Sequence, residues 1–201
     1  MGYYTRVLTR RSACPSLSEL TRVLAEENLG GLLSGDEEDS ADWTNLSLSH
    51  AHDECIASIE RNVVAPGTLG AAEVAELVDH LNHCKPTSAA AWLRDYLPSV
   101  RTIYAFQHLS GTDTMQGDEM LRAVRNHIWS LGDAIVQADG EGFSNEDGYH
   151  ILWQFHDSVK GPWHMAVLRD GHWVRFEMNL GSRSQRKAFL AGEVPRGARL
   201  A

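Results

Sequence analysis

With 201 residues, 43% hydrophobic and 22% charged, the chain has the make-up of an ordinary globular protein and can bury a core without disulfides or metals. Its net charge of −9 is uneven: residues 1–157 carry 10 Lys/Arg against 24 Asp/Glu, and residues 158–201 carry 8 against 3. An acidic body argues against non-specific nucleic-acid binding, which depends on cations placed on phosphates, and no apolar run is long enough to cross a membrane.

The first expected element is a strand over residues 2–10. Ser16 and Glu19 then make a capping-box pattern ahead of Leu17, Leu20, Val23 and Leu24, which predicts a helix stopped at Gly30-Gly31. Residues 34–42 read as an acidic loop containing Asp36-Glu37-Glu38-Asp39, either solvated or a docking site for a basic partner. Strands are expected over 43–49 and 55–64 around a turn at 50–54. Helices follow over 69–84 and 88–97, separated by Pro86, with Ser88 as the second cap. Next come a strand over 102–109, a helix over 117–131, a strand over 134–138 and a ten-residue loop over 139–148. Residues 149–180 form a three-stranded antiparallel meander, 182–191 a last short helix, and the end frays. The order predicts a single α+β domain over residues 1–201, mainly antiparallel sheet with helices packed on one face. Its expected core includes Ile151, Trp153, Phe155, Met165, Val167, Val174, Phe176, Ile128 and Leu121.

The meander specifies its own register. Asp170-Gly171 is a two-residue hairpin signal, so Arg169 pairs with His172, Val167 with Val174, Met165 with Phe176 and Trp163 with Met178. The opposite face then pairs Leu168 with Trp173, Ala166 with Arg175 and His164 with Glu177. A slip by one residue would mix the two sets. Leu168 and Trp173 need cover on that polar face, from a helix of this chain or from a partner. His150, Gln154 and His156 alternate along the neighbouring strand and join the face.

Four constellations are candidates for chemistry. His50, His52, Asp53, Glu54 and Cys55 resemble the start of a metallo-β-lactamase-type site, but Glu54 and Cys55 stand where its last ligands belong, and a polar turn fits better. His80 and His83, with Glu76, share the solvated face of a helix. The loop over 139–148 offers Asp139, Glu141, Glu146 and Asp147 with three glycines, a ligand set suited to a hard cation, although the spacing is not that of a helix–loop–helix calcium site. On the meander, His164, Glu177 and Arg175 suit acid–base work on an anion, or, with Trp173, His150 and Gln154, a binding surface.

Elsewhere the sequence has no nucleophile elbow, no phosphate loop with lysine and no dinucleotide fingerprint. Cys14, Cys55 and Cys84 show no metal or redox spacing. Their odd count, with no signal-peptide core at the N-terminus, points to reduced thiols in the cytoplasm. Residues 102–111, 142–155 and 161–168 resemble small bacterial proteins to which no activity attaches. The resemblance implies a bacterial, cytosolic setting and no site residue. The first functional expectation is a non-catalytic protein-binding module, immunity- or inhibitor-like, that takes a basic partner without cofactor, nucleic acid or membrane. The alternatives are a metal-dependent hydrolase using the 139–147 loop with His164 and Glu177, and a homodimer that buries Trp173.

Overall fold

A computed structural model describes residues 2–36, 42–50 and 54–201. In chain order the elements are β1 (Tyr4–Thr9), α1 (Leu17–Glu26), β2 (Gly31–Gly35), β3 (Asn45–His50), β4 (Cys55–Val63), α2 (Leu69–His80), α3 (Thr87–Tyr96), β5 (Thr102–His108), α4 (Met115–Ser130), β6 (Ala134–Ala138), β7 (Gly142–Ser144), β8 (Pro162–Arg169), β9 (His172–Asn179), α5 (Arg183–Leu190) and β10 (Arg199–Leu200). The fold is α+β with mainly antiparallel sheet, as the sequence predicts. It divides into two compact units, Met1–Ala71 with Val100–Ala134, and Ala72–Ser99 with Ile135–Ala201.

In the first unit five strands run in the order β2-β3-β4-β5-β1, every neighbouring pair antiparallel. Ser16 caps α1 with both halves of the capping box formed, so the helix begins where its sequence says. Leu20 and Leu24 of α1, with Met120, Leu121, Val124 and Ile128 of α4, are buried alongside Leu46, Leu48, Ile59 and Phe106 of the strands. Trp43 is fully buried, with its indole Nε1 donating to the Pro15 carbonyl at 2.8 Å and its ring against Tyr104. Next to it, burial pushes the Cys14 thiol above its ordinary 9.0 and raises the Tyr104 hydroxyl as well. Both folded-state values lie above the unfolded ones. The stability these groups support is therefore complete below pH 9.0 and is lost as pH rises through the raised values. Urea midpoints should fall between pH 8 and pH 10.5, and iodoacetamide should modify exposed Cys55 well before Cys14. Equal alkylation rates would show that half-buried Cys14 is not shielded by its surroundings.

In the second unit β6 and β7 form a hairpin, and β8, β9 and β10 form a sheet in the order β10-β9-β8. The β8–β9 register is the predicted one at all the pairs named above, from Arg169–His172 to Trp163–Met178. Asp170 and Gly171 both have positive φ, as a tight hairpin turn requires. Met165, Val167, Phe176 and Met178 are buried in one cluster with Phe155, Leu180 and Phe189 of α5. Trp153 and Val174, predicted as core, are partly buried against it.

Several expectations are corrected. Residues 149–156 do not form the first strand of the meander. Only His150 makes bridges there, antiparallel to Ser144 and parallel to Met165, because Ile151, Trp153 and Gln154 donate their N–H groups to Phe143, Lys85 and Glu141. The third strand of that sheet is β10, in the segment predicted to fray. The 139–148 loop contains β7. Gly31–Gly35 is a strand rather than a helix stop followed by loop. Helix α3 begins at Thr87 after Pro86, with no side-chain cap from Ser88. Residues 37–41 of the acidic loop, and His52 and Asp53 of the 50–54 turn, lie outside the described residues.

Candidate functional site

The candidate site residues of the second unit converge around the short run that links β7 to His150. Gly142 must be glycine: its φ is +116°, and a Cβ there would sit 2.3 Å from the Leu152 carbonyl oxygen. After β7, Asn145 organises the turn. Its Oδ1 accepts the N–H groups of Asp147 and Tyr149 at 3.2 and 2.9 Å, and its own N–H donates to the Tyr149 carbonyl. Asn145 is fully buried, and its Nδ2 has no acceptor among the described residues. The chain then threads beside β8, with the His150 N–H donating to the His164 carbonyl and the Ala166 N–H donating to that of His150. This places Asp147 and Tyr149 over the outer face of the β8–β9 hairpin.

There, four side chains hold one another. Arg175 of β9 donates to the Asp147 carboxylate, with the two side chains 46% and 34% exposed. The same guanidinium lies 5.7 Å from the centre of the Tyr149 ring. The edge of that ring meets His164 at 5.6 Å and 77°. Glu177 stands opposite His164 in the register, as predicted, and Glu146 is exposed beside Asp147. Each contact is small on its own, since an exposed ion pair contributes about 0–1 kcal/mol. Together they fix the rotamers of an arginine and two rings on a strand face.

His150 lies under this surface. Its Nδ1 is 3.2 Å from the Ser144 hydroxyl, its Nε2 is 3.7 Å from Glu141, and its ring packs against Phe155 and Trp163. The residue types are those of a hydrolytic triad. The order of exposure is reversed, however: Glu141 is the solvent end, and Ser144 is buried. The arrangement orients His150 within the core edge instead of presenting a hydroxyl to a substrate.

The remaining sequence candidates are dispersed. Of the proposed cation ligands, Asp139 bonds to Gln137, Glu141 faces His150, Asp147 holds Arg175 and Glu146 is exposed. Among the described residues no group of three or more His, Cys, Asp or Glu is placed to hold a metal ion. Gln154 points away from the hairpin face, with its Nε2 3.7 Å from Cys84 Sγ, and exposed His156 bonds to Ser158. Trp173 is covered within its own unit by Trp92 of α3, ring centres 5.2 Å apart and edge-on, so the cover it needs comes from a helix of this chain. Sequence reasoning missed Tyr149 and Ser144. A tyrosine two residues after an acidic position in a glycine-bounded turn is the only signal that could have found the first.

A second concavity, in the first unit, is a cleft of about 460 Å³ whose lining includes Thr44, Asn45, Arg61, Val63, Thr68 and Leu69. Part of its polar lining is engaged within the chain: Thr44 and Asn45 bond to Asp36, Arg61 donates to the Trp43 carbonyl, and Thr68 caps the start of α2. No family model, curated protein or solved structure matches this chain.

Proposed function

We propose that this chain is a non-catalytic protein-binding module of the bacterial cytosol, immunity- or inhibitor-like in action, that takes a basic protein partner on its Asp147–Tyr149–His164–Arg175 surface. One observation carries the reading: exposed Arg175 and His164 are held together by the half-buried Tyr149 ring on the outer face of a hairpin. Arginine and tyrosine held rigid before contact lose little side-chain entropy on binding, which is how a few residues come to dominate an interface. Asp147 neutralises Arg175, and Arg199 of β10 stands opposite Glu177 in the register, so exposed Glu146 supplies the excess negative charge that a basic partner would meet. The free state of all three cysteines accords with a reducing compartment.

The substitution Arg175→Ala tests the surface. It removes an exposed side chain, so the thermal midpoint should stay close to wild type. Affinity for a stoichiometric partner should fall by about tenfold or more. Unchanged affinity would remove Arg175 from the interface.

A further inference from the structure

We infer that the free edge of β2 is a second docking site, taken by an extended segment of a basic protein that adds a strand to the sheet. β2 is the end strand of its sheet and, among the described residues, pairs only with β3. The Asp36 N–H donates to the Asn45 carbonyl, which fixes the hydrogen-bond phase of this antiparallel pair. Leu32 and Ser34 therefore bond to β3, while the N–H and C=O groups of Leu33 and Gly35 point away from it. Among the described residues no group bonds to them.

Natural edge strands are guarded by lysine, proline, bulges or an inward charge. Gly31-Leu32-Leu33-Ser34-Gly35 has none of these. Gly31 and Leu33 share the inner face; a Cβ on Gly31 would lie 3.0 Å from Met120 and 3.3 Å from Leu24. Leu32 faces the other way and is 55% exposed, with Ser49 opposite it. The edge thus offers unpaired main-chain groups and one apolar side chain for an incoming strand to cover.

Charge decides between occupants. Exposed Glu26 and Glu27 precede the strand, and Asp36 follows it, continued in sequence by Glu37-Glu38-Asp39. If a second copy paired antiparallel about Leu33, the acids before one strand would meet those after the other. Parallel pairing would set like against like as well. A second copy is repelled in both cases. A segment with an apolar residue opposite Leu32 and Lys or Arg at both ends fits.

The test uses the full chain and an eight-residue probe peptide, alternating valine and threonine with two lysines at each end. Its partner probe carries glutamates in place of the lysines. The lysine probe should slow amide exchange at Leu33 and Gly35 by about tenfold, and it should bind about tenfold more tightly than the glutamate probe, less so at high salt. Leu33→Pro removes an N–H that β3 does not use, so it should abolish probe binding with the circular dichroism spectrum retained. If proline disrupts the sheet, Leu32→Lys supplies the same test by repulsion. Failure to protect those two amides, or equal binding of the two probes, would overturn the proposal. So would a concentration-dependent dimer that Leu32→Lys abolishes.

Discussion

Phe176→Ala should cost about 3–5 kcal/mol of unfolding free energy, among the largest effects of any single truncation in the second unit. Phe176 is fully buried at the centre of the cluster formed by Phe155, Met165, Val167, Met178, Leu180 and Phe189. Its ring meets Phe189 at 6.5 Å and 66°. Truncation removes that contact and leaves a cavity that strands held by a two-residue turn cannot close. At ~2–4 °C per kcal/mol for a chain of this size, the thermal midpoint should drop by about 10 °C. Trp153 and Trp163 pack on the same cluster, so tryptophan fluorescence reports the transition directly. Phe176→Leu should lose less than half as much, because most of the apolar volume is kept. Similar losses for the two variants would mean that the cluster is not close-packed.

Trp43→Ala should have a comparable effect in the first unit, about 3–5 kcal/mol. The cause differs in part, because Trp43 contributes a hydrogen bond as well as volume. Its indole donates to the Pro15 carbonyl just before α1 begins, which ties the helix entry to the start of β3. Trp43→Phe separates the two contributions. Phenylalanine keeps most of the ring contact with Tyr104 but leaves the Pro15 carbonyl only the weak Cys14 thiol as donor, for an expected loss of about 1–3 kcal/mol. Urea midpoints of the three proteins measure both. A Trp43→Phe variant as stable as wild type would show that water replaces the indole.

How much of this was readable in the sequence depends on where the information sits. The β8–β9 hairpin was legible residue by residue, because Asp170-Gly171 can hardly be anything but a tight turn and the alternation on both sides agrees with it. The start of α1 was legible for the same kind of reason, a local box of hydrogen bonds between Ser16 and Glu19. β2 was not. It has no β-branched residue, and its flanking glycines look like helix punctuation; its strand character comes from pairing with β3 and from the fit of Gly31 against Leu24 of α1 and Met120 of α4. The apolar run at Ile151–Phe155 has the alternation of a strand, yet its N–H groups are drawn to Lys85, Glu141 and Phe143, partners that no local pattern reveals.

The candidate site divides in the same way. Arg175, His164 and Glu177 could be assigned to one face from the register alone. That Asp147 and Tyr149 would come down on them depends on the buried Asn145 turn, a tertiary arrangement. The four loop carboxylates looked like one ligand set because they are close in sequence. In the fold, Asp139 accepts from Gln137, Glu141 faces His150, and the Asn145 turn brings Asp147 to Arg175.

The surface formed by Asp147, Tyr149, His164 and Arg175 is the centre of this account, and one measurement bears on it most directly. Tagged wild-type protein and the Tyr149→Ala and Arg175→Ala variants, shown to have matching thermal midpoints, are purified gently from native cells and their bound proteins quantified by mass spectrometry. One basic protein should be recovered near stoichiometry with wild type and depleted about tenfold or more with each variant. Equal recovery of that protein with all three, or a partner that is acidic, would contradict this expectation.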